Sequence, residues 1–125
     1  MECTKERNTE KMEYMKQYEE WLNNPYFDEE TKNELRKISD DKKEIEDRFY
    51  ADLEFGTAGL RGVIAAGRNR INIYTIRRAT FGLANYIIKY TTEEEKNRGV
   101  VIAHDNRHMS REFCIEAANT LAACG

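Results

Sequence analysis

The stretch Phe55-Gly-Thr-Ala-Gly-Leu-Arg-Gly62 (FGTAGLRG) separates two parts of the chain that differ in their apolar pattern. Residues 1–54 are highly charged and have helical spacing, whereas short apolar runs and helical stripes alternate after Phe55. Glycine permits positive φ and close approach of a ligand to the backbone, and a guanidinium matches phosphate oxygens. The stretch therefore predicts an anion-binding turn. A helix-to-strand turn without a ligand is the alternative, and the GxxGxxG spacing fits neither the P-loop nor the dinucleotide fingerprint.

Three helices are predicted before this stretch. The first covers residues 5–23 and is stopped by Pro25, the second runs from its N-cap Asp28 to about Ile38, and the third starts at Asp40. Their apolar positions are Met12, Met15, Tyr18 and Leu22 in the first helix, and Ile45, Phe49 and Leu53 in the third. Tyr14, Tyr18 and Trp21 are expected in the core or in a helix–helix contact.

After Phe55 the order of elements is strand, helix, strand, helix. The predicted elements are a strand at 63–66, a helix at 72–90, a strand at 99–104, and a helix capped by Ser110 that ends at Gly125. Alternation of this kind indicates a mostly parallel sheet covered by helices. The predicted fold class is α/β: a partial three-layer α/β/α domain over residues 55–125, preceded by a helical extension over residues 1–54.

Two strands are too few to cover these helices. The chain is therefore expected to be the front part of a larger α/β domain, with a complete small domain as the alternative. An open sheet edge of this kind invites association, so self-association is predicted.

Composition limits the classes of partner. Residues 1–54 carry a net charge of −7 and residues 55–125 a net charge of +4, and eight of the ten cations in the second part are arginines. This balance favours a small anionic ligand and argues against nucleic acid, where a basic stripe is expected. No apolar run approaches the roughly 20 residues that span a bilayer. The three cysteines form no CxxC pair, and this favours free thiols in the cytoplasm.

Two loops supply the candidate binding residues. The first contains Thr57, Gly59 and Arg61. The second contains Asp105 and Arg107, and it follows the carboxyl end of a predicted parallel strand, where open α/β sheets bind ligands. In that loop Asp105 is placed to orient Arg107 toward an anion.

Other polar residues receive simpler interpretations. His104 and His108 flank a strand–loop junction without a clear third ligand, so a metal site is not favoured. Arg77 and Arg78 are expected to be solvated on the long helix. Arg68 and Arg70 lie in a turn and are left open between solvent and ligand.

Three segments together resemble a known family. FGTAGLRG at 55–62, INIYTIRRATFGLANYI at 71–87 and GVVIAHDNRHMS at 99–110 are similar to the opening domain of the α-D-phosphohexomutases, and they look most like its bacterial phosphoglucomutase branch. The resemblance covers roughly residues 20–125. It implies interconversion of glucose 1-phosphate and glucose 6-phosphate through a phosphoserine, with Mg²⁺ and a sugar bisphosphate.

By the same resemblance, Thr57, Gly59 and Arg61 line the active-site cleft, and Asp105 and Arg107 lie near the phosphoserine loop. The family's motifs for the phosphoserine, the magnesium ligands and the sugar-binding loop are absent from these 125 residues. The chain by itself is therefore expected to be inactive, because an arginine cannot replace a nucleophile. Phosphomannomutase or phosphopentomutase specificity stays open, as does a non-catalytic module that binds phosphate or a partner.

Overall fold

The computed structural model describes residues 2–125, apart from the side chains of residues 2–8 and 12. Over this range the chain forms six helices and one two-stranded antiparallel sheet. In chain order these are α1 (Glu2–Asn23), α2 (Glu29–Lys37), α3 (Lys42–Phe49), β1 (Phe55–Gly56), β2 (Gly59–Leu60), α4 (Ile73–Tyr90), α5 (Glu93–Asn97) and α6 (Ser110–Ala123). A helical N-terminal region followed by mixed helix and strand agrees with the predicted partial α/β domain.

The chain divides into two compact units, one ending at Asn72 and the other starting at Ile73. Each is described by itself. The boundary predicted between the extension and the α/β part, at residues 54 and 55, stays a prediction.

Aspartates start α2 and α3. Asp28 is the predicted N-cap of α2, and its Oδ1 accepts a hydrogen bond from the backbone N–H of Thr31 at 2.7 Å. The prediction for α3 was wrong by one residue, because Asp41 accepts from Glu44 N–H at 3.1 Å. Asp40 lies instead in the turn that follows α2. These caps satisfy N–H groups that the first turn of a helix leaves without partners.

An aromatic cluster forms the core of the first unit. Trp21 stacks on Phe27 with ring centroids 4.2 Å apart, and both Trp21 and Tyr18 meet Phe49 edge-on at 5.6 and 5.7 Å. Tyr18 also donates its hydroxyl hydrogen to the carbonyl of Leu35 at 2.8 Å. Burial is the main cause that raises the pKa of Tyr18. The predicted core role of Tyr18 and Trp21 is confirmed.

The apolar stripe predicted on α1 is displaced from its expected position. Tyr14, Tyr18 and Trp21 are buried, whereas Met15 and Leu22 are only partly buried. The side chain of Met12 lies outside the described residues. In α3 the buried positions are Ile45 and Phe49, and the helix ends before the predicted third position, Leu53.

The loop at 63–71 is held against α3 by polar contacts. The Arg48 guanidinium bonds to Glu44 and Glu34, each at 2.7 Å, and to the carbonyl of Ala66 at 3.1 Å. Burial lowers the pKa of Arg48, but its hydrogen bonds to Glu44 and Glu34 outweigh burial and leave the pKa raised. The loop backbone adds a hydrogen bond from Asn69 N–H to Arg48 O at 2.9 Å.

Neither predicted parallel strand forms a ladder. In the first, Ile64 makes only an isolated parallel bridge with Ile71. In the second, residues 100–105 run without helix, turn or bend and pair with nothing in residues 2–125. A strand requires a hydrogen-bonded neighbour; within residues 2–125 the first run has only the short bridge to Ile71, and the second run has no paired strand.

In the second unit, α4 and α6 pack together. The predicted bounds of α4 are confirmed within two residues. Along α4, Thr80 and Ala84 are buried, whereas Leu83 and Ile88 are about half exposed. Gly125 adopts a φ of 88° and bonds to Ala122 O at 3.2 Å, which confirms its predicted place after the end of α6.

Candidate functional site

FGTAGLRG folds as a β-hairpin. Phe55 pairs with Leu60 and Gly56 with Gly59, which leaves Thr57 and Ala58 as the two-residue turn. The alternative of a helix-to-strand turn was wrong about the first arm, because strands flank the turn on both sides. Gly59 has a φ of 98°, and a Cβ built there would meet no atom within 4 Å. Glycine is thus needed at position 59 for backbone conformation rather than for space.

Arg61 directly follows β2 and is exposed. Within residues 2–125 it has no hydrogen-bond or ion-pair partner among the described side chains. Thr57 is exposed in the turn of the same hairpin. The first loop therefore presents a hydroxyl and an uncommitted guanidinium, two donors that an anion can accept from.

The nearby arginines of the first unit are committed to carboxylates. Arg68 Nε lies 3.1 Å from Asp52 Oδ1, and the nearly buried Arg70 bonds to Asp47. The sequence left open whether Arg68 and Arg70 face solvent or a ligand. In the structure, both bind carboxylates of the protein instead. Arg61 differs from them because it is exposed and has no partner among the described side chains.

The second candidate loop is organised by Asp105. Its Oδ1 accepts from Arg107 N–H at 3.0 Å, and its Oδ2 accepts from Arg107 Nε at 2.6 Å. The backbone N–H of Arg107, followed by its guanidinium, holds the pKa of Asp105 below its ordinary value. The Arg107 side chain is 84% exposed. The carboxylate takes Nε, and no described contact involves the two terminal nitrogens of Arg107.

The start of α6 differs from the predicted Ser110 cap. The N-cap position is Met109, which has a φ of 63° and makes no side-chain cap bond. Ser110 is the first helical residue, and its Oγ accepts from Asp105 N–H at 3.2 Å. The serine therefore stabilises the Asp105 loop instead of capping the helix.

The structure also shows pairs that sequence reasoning missed. Arg77, expected to be solvated, makes a two-pronged contact with Glu116, with Nε–Oε2 at 2.8 Å and Nη2–Oε1 at 3.2 Å. No local pattern signals a contact across 39 positions. By contrast, the unpredicted helix α5 has a readable signal, because Thr92 and Glu95 form a capping box.

A known protein family matches more than half of the chain. Residues 52–125, more than half of the chain, match the family model described as phosphoglucomutase/phosphomannomutase, alpha/beta/alpha domain I. The chain belongs to this family. The matched region includes the hairpin with Arg61 and the Asp105–Arg107 loop of this phosphoglucomutase/phosphomannomutase family member.

Curated family members named phosphoglucomutase are similar to the chain over part of their length. That of Staphylococcus haemolyticus (strain JCSC1435) is 46% identical over 68 residues, 54% of this chain and 12% of the relative. Those of Staphylococcus aureus strains bovine RF122 / ET3-1 and MRSA252 are 43% identical over 79 residues and 41% over 90. These alignments cover 63% and 70% of this chain but only 14% and 16% of the relatives. The chain thus spans about one sixth or less of these proteins. No solved structure matches.

Two further features, a membrane-spanning helix and a metal-binding group, are absent from the described residues. No helix among them is long and apolar enough to cross a membrane. Nor do residues 2–125 bring together three or more His, Cys, Asp or Glu side chains in a group suited to a metal ion. The donors of the described chain do not fit the Mg²⁺ that the resemblance implies, so no step in the chemistry below passes through a metal held here.

Proposed function

We propose that the chain provides phosphate-binding groups of a phosphohexomutase that interconverts glucose 1-phosphate and glucose 6-phosphate. In this proposal a phosphoserine gives its phosphoryl group to the sugar monophosphate, and a sugar bisphosphate returns the other phosphate. The serine and the Mg²⁺ ligands belong to other parts of the enzyme. Mg²⁺, when bound, neutralises charge on the transferred group.

The proposal depends most on one observation, the state of Arg61. Within a family whose substrates are phosphosugars, an exposed arginine without a described partner directly follows the glycine hairpin. Surrounding arginines neutralise carboxylates, as Arg48 and Arg70 do. Arg61 therefore keeps its full capacity to form two parallel hydrogen bonds to phosphate oxygens.

Arg107 is the second proposed phosphate group. Asp105 takes its Nε and leaves both terminal nitrogens for an anion. An arginine oriented in advance loses less side-chain entropy when it binds. Asp105 is thus proposed as a positioning residue, and Thr57 and Gly59 as the turn that presents Arg61. The free thiols fit the proposed cytoplasmic location.

The test is a mutase assay on the product of the complete reading frame that contains this chain. Arg61→Ala is expected to lower kcat/KM by well over tenfold, because a charge-assisted contact to phosphate is worth about 2–3 kcal/mol. Arg61→Lys should recover part of that loss, since it restores the charge without the fork.

Arg98→Ala is the matched control, because Arg98 is exposed and lies 3.8 Å from Glu94, a weak surface contact. Its kcat/KM should stay within about twofold of the parent. Equal kinetics for Arg61→Ala and Arg98→Ala would remove Arg61 from the site. Absence of any phosphosugar interconversion would overturn the mutase proposal.

Separate experiments test the sugar specificity of the enzyme and the catalytic activity of the 125-residue chain alone. Assays with mannose and pentose phosphates decide between phosphoglucomutase, phosphomannomutase and phosphopentomutase activity. The 125-residue chain alone is expected to show no mutase activity. A reading frame that ends after Gly125, together with phosphate binding that Arg61→Ala abolishes, would favour the non-catalytic phosphate-binding module instead.

A further inference from the structure

The loop that follows Arg61 is held by one pair of side chains from α2 and α3. Ala66 in this loop is buried, so both of its backbone groups need partners. Its N–H donates to Glu34 Oε1 at 3.1 Å, and its carbonyl accepts from Arg48 Nη1 at 3.1 Å. The two side chains also bind each other at 2.7 Å. For this one residue, the Glu34–Arg48 pair thus takes the place of a neighbouring strand.

The same loop is bonded to the chain on both sides of the glycine hairpin. Before the hairpin, Leu53 N–H donates to Arg68 O at 3.1 Å. After it, Ile71 N–H donates to Val63 O at 2.8 Å. Arg61 lies between these two attachments, two residues before Val63. A displacement of the loop from the helices is therefore passed to the backbone on both sides of Arg61.

We propose that Glu34 and Arg48 are positioning residues, through which α2 and α3 hold Arg61 in place for a phosphate group of the sugar substrate. This inference rests on the proposed function, because it assigns a support to the same binding group. A guanidinium binds a phosphate well only where its fork is held in a fixed position. Arg61 has no side-chain contact among the described residues, so the backbone on either side of it must supply that support.

Glu34 is the member of the pair that can be changed with less damage to the fold. Its side chain is 42% exposed, whereas that of Arg48 is 12% exposed and also bonds to Glu44. Glu34→Ala removes the oxygen that accepts from both Ala66 N–H and Arg48. Glu34→Gln keeps an acceptor oxygen at that position. Glu30→Ala is the matched control, because Glu30 is an exposed carboxylate one turn earlier in α2 without a contact in the described chain.

Hydrogen–deuterium exchange tests this support directly on the product of the complete reading frame, because it requires no substrate. In Glu34→Ala, the amides of residues 53–71 should exchange about fivefold faster than in the parent, since the loop loses a hydrogen bond to a charged group. Glu34→Gln and Glu30→Ala should leave this region within about twofold of the parent. The amides of α6 are the internal reference. Equal exchange of residues 53–71 in Glu34→Ala and Glu30→Ala overturns the proposal.

Mutase kinetics of the same product show whether the support acts through Arg61. Glu34→Ala should lower kcat/KM about fivefold, less than Arg61→Ala does, because the guanidinium is present but less well held. Glu34→Gln should recover most of this loss. In an Arg61→Ala background, Glu34→Ala should cause no further loss, because the group that it positions is gone. Urea unfolding followed by Trp21 fluorescence gives conditions under which every variant is fully folded.

Two kinetic outcomes overturn the positioning role and leave the proposed function in place. One is an equal loss from Glu34→Ala with and without Arg61, because a residue that acts independently of the arginine gives additive effects. The other is the parent's kcat/KM in Glu34→Ala beside a large loss in Arg61→Ala. The parent's kcat/KM in Arg61→Ala would instead refute the phosphate role of Arg61, and the positioning role with it.

Discussion

At the scale of single residues, the arginines of the first unit differ in what they bind. Arg48 joins Glu34, Glu44 and the carbonyl of Ala66, so it connects two helices to a loop. Arg61 has no such contact in the described chain and is exposed. Identical side chains thus have a structural role where carboxylates surround them, and a binding role is proposed where they do not.

Among the glycines, Gly67 leaves the least room for an added Cβ atom. Its φ is 133°, and a Cβ there would lie 2.8 Å from Arg48 Cβ and 3.0 Å from Arg48 O. Gly67→Ala should destabilise the first unit by about 2 kcal/mol or more, through backbone strain and displacement of the loop from α3. Urea unfolding followed by Trp21 fluorescence measures this.

Gly82 gives the contrast for that experiment. It lies inside α4, and a Cβ there would meet no atom within 4 Å. Gly82→Ala is therefore expected to stabilise α4 by about 0.5–1 kcal/mol, the difference in helix propensity, as measured by circular dichroism. Equal effects of the two substitutions would contradict the contact between Gly67 and Arg48.

At the scale of elements, a side-chain contact between two helices helps to hold α4 and α6 together. Both Arg77 nitrogens that contact Glu116 do so from a partly buried position, with 34% and 23% of the two side chains exposed. Arg77 also lies over the Tyr74 ring at 5.5 Å. A planar two-pronged pair at this depth holds the relative rotation of the two helices as well as their distance.

A double-mutant cycle of Arg77→Met and Glu116→Gln should give a coupling of about 1–2 kcal/mol in the free energy of unfolding. The same cycle on Arg36 and Glu29, a pair with 3.3 Å between Nη1 and Oε2 whose side chains are 53% and 74% exposed, should give no measurable coupling. Urea unfolding followed by circular dichroism measures both. Coupling of similar size in the two cycles would show that burial does not strengthen the Arg77 pair.

At the scale of the whole molecule, the two units have different kinds of interior. The first has a closed aromatic core in which Phe49, Leu35 and Ile45 are almost wholly buried. No side chain described in α6 is fully buried, and Val101 in the same unit is bare. The second unit therefore presents apolar surface that a second layer would cover.

Phe49→Ala should lower the free energy of unfolding of the first unit by about 3–5 kcal/mol, because the cavity removes contacts with Tyr18 and Trp21. Trp21 is the only tryptophan, so its fluorescence reports this unit directly. Tyr50→Ala, the neighbouring and 62% exposed aromatic, should change stability by less than about 0.5 kcal/mol. A small effect at Phe49 would mean that the cluster is not the main core.

The sequence by itself determined the features that depend on local order. Periodicity located α1, α3, α4 and α6, the Asp28 cap located α2, and three motifs in order identified the family. The capping box of Thr92 and Glu95 is likewise a local signal for α5. Local signals suffice here because helix and cap bonds join residues three or four positions apart.

Only the tertiary structure decided which polar groups were already taken. Arg77 binds Glu116 39 positions away, and Ser110 bonds to Asp105 instead of capping α6. Within residues 2–125, the run at 99–104 has no strand beside it. A short window of sequence does not show which distant residues make these contacts. Pairing of a guanidinium, a hydroxyl or a strand edge depends on which distant group the fold brings within hydrogen-bond distance.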